Sequence, residues 1–136
     1  MKLVKAFNNI NVNHIPALAR PADASDRTAL PISGDDAEAK AGATTLIRLL
    51  GFDTVDAGGL AEIWHFEPES ASFAVPYFAD PARAKASWDE AREAVRPGRP
   101  LDDFTPYMDA GAPLPAHRMR TLLAETPRAL GADQSR

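Results

Sequence analysis

Apolar and polar positions change rhythm several times along the chain, and each change predicts an element. Leu3-Val4 and Ala6-Phe7 flank a single lysine and predict a short strand over Leu3–Phe7. Asn8, Asn9, Asn11, Asn13 and His14 then crowd around Ile10, Val12 and Ile15 without a clean helical or strand period. Pro16 could open a short helix through Ala17–Ala19. After a polar turn region over Arg20–Arg27, Ala29–Ile32 is a second strand candidate, and Pro31 either argues against a strand there or places it at a sheet edge. The strongest signal is a helix over Asp35–Leu50. Asp35 or Asp36 can cap it and Glu38 suits its first turn. Ala39, Ala43, Leu46, Ile47 and Leu50 form an apolar stripe at helical spacing, and Gly51 stops it. Phe52–Val55 is a third strand that runs into Asp56-Ala57-Gly58-Gly59, and Leu60–Phe66 predicts a second helix.

From Glu67 the texture becomes irregular. Ala74–Phe78 reads as a short extended piece, and Asp80-Pro81 as a capped helix start. Ala82–Val95 predicts a thin amphipathic helix carrying Ala86, Trp88 and Ala91. A long loop is expected over Arg96–Pro115, then a last helix over Ala116–Glu125 with Met119, Leu122 and Leu123 inward, and a tail over Gly131–Arg136. Strand, helix, strand around Asp35–Leu50 is a βαβ pattern, which argues for a parallel sheet. Three strands make a thin sheet, and parallel sheets need both faces covered. The predicted fold class is therefore α/β: a partial Rossmann-like parallel sheet of about three strands over residues 1–67, with a mostly helical and irregular extension over residues 68–136 packing on it.

Composition narrows the function. The chain has 136 residues, enough for one core. Its 15 basic and 19 acidic side chains give a formal charge of -4 with no basic block, which excludes nucleic acid and anionic membrane surfaces as expected partners. The absence of cysteine removes disulfides, thiolate nucleophiles and thiolate metal sites. No apolar run approaches the roughly 18 residues of a membrane span. The Met-Lys start lacks a signal-peptide core, so a cytoplasmic location is expected.

Candidate chemistry is sparse. Glu62 and His65 are three residues apart on a predicted helix, near Glu67, but one turn without a second histidine is a thin basis for a metal site, and none is expected. No nucleophile has a triad context, and no Gly-Lys-Ser/Thr loop occurs. Asn8–Asn11 suits a capping and turn cluster as well as a ligand-facing one. Acidic residues at Asp35-Asp36 would repel phosphate, so Gly34-Asp35-Asp36 reads as a strand-to-helix turn with an N-cap.

Several motifs stand in a fixed order: Val4-Lys5-Ala6-Phe7-Asn8, Ser33-Gly34-Asp35-Asp36 with Ala39-Lys40, Leu50-Gly51-Phe52, and Val55-Asp56-Ala57-Gly58-Gly59-Leu60. Together they resemble the C-terminal half of the coenzyme F-420-dependent NADP oxidoreductase family, with a similar domain in STEAP-type metalloreductases. The resemblance covers about Leu3 to Glu67. It implies a Rossmann-like fold that binds NADP and exchanges hydride with a deazaflavin (coenzyme F-420) or a flavin. By position, Phe7, Asn8, Asn9 and Val12 would approach the nicotinamide, and Gly58, Gly59 and Leu60 would form a loop at the end of the last strand. The family often has proline where Gly59 stands. The sequence contains no G-x-G-x-x-G, the turn that holds the cofactor phosphates in such folds. The expected role is therefore the nicotinamide end of a hydride-transfer site, with NADP bound weakly or only beside a separately encoded N-terminal Rossmann half. The alternative is a non-catalytic remnant that self-associates or binds a partner. A homo-oligomer is expected, because half a sheet leaves an edge and a face uncovered.

Overall fold

The computed structural model describes residues 2–68, 70–86 and 109–125. It is a mixed α/β structure built on a two-stranded parallel sheet. In chain order the elements are helix α1 (His14–Leu18), strand β1 (Ala29–Ile32), helix α2 (Ala37–Leu49), strand β2 (Asp53–Asp56), a 3-10 helix (Leu60–Phe66), a 3-10 turn (Val75–Tyr77), a helical stretch α3 (residues 81–86) and helix α4 (Ala116–Glu125).

The βαβ unit forms where the pattern placed it. β1 and β2 pair in parallel with Ala29 opposite Asp53 and Ile32 opposite Asp56. Asp53 N–H donates to Thr28 O at 2.9 Å and Ala57 N–H to Ile32 O at 2.8 Å, which extends the ladder beyond both ends. All four β1 residues are buried, so both faces of that strand are covered. Asp36 caps α2: its side chain accepts from Ala39 N–H at 2.7 Å. Glu38 lies in the first turn and Arg48 in the last, each suited to the helix dipole.

The first expected strand, Leu3–Phe7, does not form as a strand. Leu3–Phe7 meets β1 at a single antiparallel bridge, Lys5 with Ser33, through hydrogen bonds of 2.8 and 3.1 Å. Two local causes limit it. Backbone N–H groups alternate sides along a strand. Leu114 O accepts from Ala29 N–H on the edge away from β2, and Lys5 O accepts from Ser33 N–H on the same edge. Pro31 falls between them and has no N–H to give. Phe7 then turns the chain at a φ of 61°, outside the β region. Pro31 thus sits on the edge away from β2, as its sequence position suggested, and that edge is closed by two segments distant from each other.

The predicted apolar stripe of α2 is also rolled relative to the sheet. Ile47 is buried, whereas Leu46 is 58% and Leu50 51% exposed. The inner face carries Thr44, whose hydroxyl meets the Thr54 hydroxyl at 3.2 Å, and Lys40, which pairs with Asp56 at 2.7 Å. A two-stranded sheet offers too narrow a strip to cover the whole stripe, and these polar contacts choose which part it covers.

Leu60–Phe66 is a 3-10 helix rather than an α-helix, and the expected extended piece at Ala74–Phe78 contains a 3-10 turn. The last helix forms as predicted, with Met119 fully buried and Leu122 and Leu123 partly buried. One core cluster joins Ile10, Leu18, Leu30, Phe52, Tyr77, Leu114 and Met119, and so draws on residues from both sides of position 67. The expected helix beyond residue 86, most of the predicted loop and the tail lie outside the described residues.

Candidate functional site

In open parallel sheets, ligands bind beyond the carboxyl ends of the strands. Here those ends carry two interlocked loops. After β1 the chain passes Ser33 and Gly34 into Asp35 and Asp36, and after β2 it passes Asp56 into Gly58, Gly59 and Leu60. Gly34 N–H donates to Gly58 O at 3.0 Å, and Leu60 N–H donates to Asp35 Oδ1 at 2.8 Å. The glycines make this closeness feasible. A side chain at 34 would put its Cβ 2.8 Å from Leu3 O, and one at 59 would put its Cβ 2.6 Å from Asp35 Oδ1. Gly58, at a φ of 109°, donates its N–H to Asp56 Oδ1 at 2.8 Å.

The field at this end is negative. Asp35, Asp36, Glu38 and Asp56 surround it, with Lys2 bonded to Glu38 and Lys40 to Asp56 as counter-charges. Burial by itself raises the Asp56 carboxyl pKa, but the Lys40 ammonium and the Gly58 N–H outweigh it and hold the group below the ordinary carboxylate value. The α2 N-terminus, the position that could receive a phosphate, is already filled by the Asp36 cap.

The asparagine cluster lies elsewhere. Because Lys5 pairs antiparallel with Ser33, residues 3–7 run back along β1, and the Phe7 ring meets Phe52 edge-on, 6.2 Å between centroids, just before β2 begins. Asn8 donates its side-chain amide to Phe66 O at 2.8 Å while remaining exposed. Asn9 is buried, and its amide nitrogen reaches His65 O at 3.0 Å and Ser72 O at 3.1 Å. Val12 is 73% exposed. The predicted residues therefore fall into groups: Gly58, Gly59 and Leu60 beside Asp35 at the strand ends; Asn8 and Asn9 against the end of the 3-10 helix; Phe7 on Phe52; and Val12 on the surface.

The end of that 3-10 helix is a dense polar knot. His65 O accepts from Ser70 Oγ at 2.6 Å, Ser72 Oγ at 2.7 Å and the Asn9 amide at 3.0 Å. The His65 ring stacks on Trp64 and lies 3.9 Å from the Glu62 carboxylate, which also accepts from Trp64 Nε1 at 2.8 Å. Burial pulls the His65 pKa below the ordinary histidine value, and Glu62 offsets this only in part. No group of three or more potential ligands that could hold a metal ion occurs among the described residues.

Two polar residues matter more than the sequence suggested. Arg27, read as part of a polar turn, is buried. Its guanidinium donates to Asp53 at 2.9 Å and to the carbonyls of Arg20, Pro21, Arg48 and Phe52. His14 is fully buried, its Nε2 2.8 Å from Asp109 O and its ring edge-on to Phe78. The Asp109 carboxylate in turn accepts from the N–H groups of Ala79, Asp80 and Gly111. Burial raises the Asp109 pKa, but these three donors, with His14 nearby, bring it below the ordinary value. The available signal for Arg27 was its place one residue before Thr28 and a fully apolar strand.

Compared with protein-family models, curated proteins and solved structures, the chain matches none. No helix among the described residues is long and apolar enough to cross a membrane.

Proposed function

We propose that this chain contributes the nicotinamide end of a hydride-transfer site in an NAD(P)-linked oxidoreductase, as a partial Rossmann-like unit acting on NADP with a deazaflavin or flavin. The carrying observation is the sign of charge at the strand ends. Asp35, Asp36 and Asp56 beside a capped helix oppose a pyrophosphate but favour the cationic ring of oxidised nicotinamide. The cofactor carries the hydride, and the protein positions it and sets the local field. Asn8 and Asn9, bonded to the carbonyls of Phe66 and His65 away from the strand ends, take no part in this reading. The phosphates need a glycine-rich turn on another stretch of polypeptide, on the same or a separate chain. The test is a titration with NADPH and NADP+, followed by a hydride-transfer assay with and without a strand–G-x-G-x-x-G–helix half. The expected result is no submicromolar binding by this sequence alone and activity only with the added half. Submicromolar binding alone, or no activity with any such half, overturns the reading.

A second reading is a non-catalytic module that binds a partner or itself. It is favoured by one observation: Leu46, Leu49 and Leu50 stand exposed on one helix.

A further inference from the structure

The outward face of α2 is unusual for a surface helix. Ala41, Gly42, Thr45, Leu46, Leu49 and Leu50 are all exposed, and none carries a charge. Leu49 is 81% exposed. Seven residues earlier on the same face, Gly42 has open space: a Cβ there would meet nothing within 4 Å. A protruding leucine and a position with no side chain stand two turns apart. When two copies of this helix lie antiparallel, with a two-fold axis between Thr45 and Leu46, Leu49 of each copy meets Gly42 of the other, where no side chain opposes it.

Charge supports the same orientation. Glu38 lies in the first turn and Arg48 in the last, so an antiparallel pair sets the basic end of each helix toward the acidic end of its mate. The helix dipoles then oppose one another favourably as well. A parallel arrangement would place like ends together and bring Leu49 against Leu49.

We propose that α2 is a homodimer interface, in which the apolar part of its outer face from Ala41 to Leu50, flanked by Glu38 and Arg48, packs antiparallel against the same face of a second copy of this chain. The inference rests on the partner-binding reading and gives it a surface and a partner. One helix pair lies at the small end of specific interfaces, below about 1,200 Å² in total, so the dimer is a weak one.

The test uses the full chain, measuring mass by sedimentation equilibrium between about 1 and 500 µM, a span set by the weak affinity of such small interfaces. A concentration-dependent monomer–dimer equilibrium is expected. Leu49→Glu should raise the dissociation constant by at least about tenfold, as loss of a central anchor does. Because Leu49 is already exposed, the variant's thermal midpoint, compared at concentrations where both proteins are monomeric, should change little, which separates lost association from lost folding. The chain has no cysteine, so single introduced thiols report position cleanly. Thr45→Cys, next to the axis, should form a disulfide-linked dimer on mild oxidation, whereas Ala61→Cys on the exposed side of the 3-10 helix should stay monomeric. A monomer throughout the concentration range overturns the proposal. So does a dimer that ignores Leu49→Glu, or cross-linking of Ala61→Cys as efficient as that of Thr45→Cys. Neither mass nor cross-linking reads hydride transfer, so failure here leaves the redox reading standing.

Discussion

Arg27 is the residue whose environment determines most around it. Five donors on a planar guanidinium meet one carboxylate and four carbonyls, and those carbonyls belong to the loop before β1, the end of α2 and the entry to β2. A lysine cannot reproduce this fork. Arg27→Ala should cost about 3 kcal/mol by urea unfolding, because it strands several buried carbonyls. Arg27→Lys should recover less than half of that loss. Gly59 has a different constraint. Gly59→Ala drives a Cβ toward Asp35 and should displace the carboxylate from Leu60 N–H, lowering stability by about 1–2 kcal/mol. His65 supplies a pH dependence. Its folded pKa lies below its unfolded value, so the unfolded chain binds a proton that the folded chain resists. Stability should therefore fall as pH drops through about 6.5 toward the folded pKa. Thermal midpoints between pH 8 and 5 should show that slope, and His65→Gln should flatten it. The lowered carboxylates Asp56 and Asp109 act further into acid, where their contribution is lost as pH falls below the ordinary carboxylate range.

At the scale of elements, the sequence was legible where periodicity was long or punctuation was strong. α2 has thirteen helical residues between an aspartate cap and Gly51, β1 and α4 have short apolar cores, and β2 carries Val55 between Gly51 and Gly58 as clear breaks. The cap is testable: Asp36→Ala should cost about 1 kcal/mol and reduce helical signal near Ala39 in hydrogen exchange. Other features were not legible, for physical reasons. The Leu3–Phe7 pattern fits a strand, and the missing donor at Pro31 was visible in the sequence, but the positive φ at Phe7 and the pairing of Lys5 beside that proline are tertiary facts that spacing does not encode. A seven-residue segment cannot distinguish α from 3-10, because the polar knot at His65 O, rather than helix propensity, fixes the end of Leu60–Phe66. The candidate site shows the same split. Gly58, Gly59 and Leu60 meet at the strand end that their motif implied. Asn8 and Asn9 are drawn off by the carbonyls of Phe66 and His65, residues too far along the chain for any local pattern to connect.

For the whole molecule, the closure of β1 sets the terms. Its inner edge pairs with β2, and its outer edge takes Lys5 from one side of the sequence and Leu114 from the other. Thr28 Oγ1 also accepts from Leu114 N–H at 3.2 Å, and Tyr77, wholly buried, sets its hydroxyl 3.4 Å from Ala29 O. A polypeptide of residues 1–67 would lose Tyr77, Leu114 and Met119 from its core. It should show no cooperative melting transition by circular dichroism, whereas the full chain should. The same closure bears on how the protein is made. Lys5 is synthesised before β1, but Leu114, which closes the other half of its outer edge, emerges some time after both strands. The nascent sheet must wait with half of that edge open until the chain has reached Leu114, and closing so distant a contact is a slow step. Pro31, unable to donate along that edge, makes the waiting strand a poorer template for wrong pairing with a neighbouring chain.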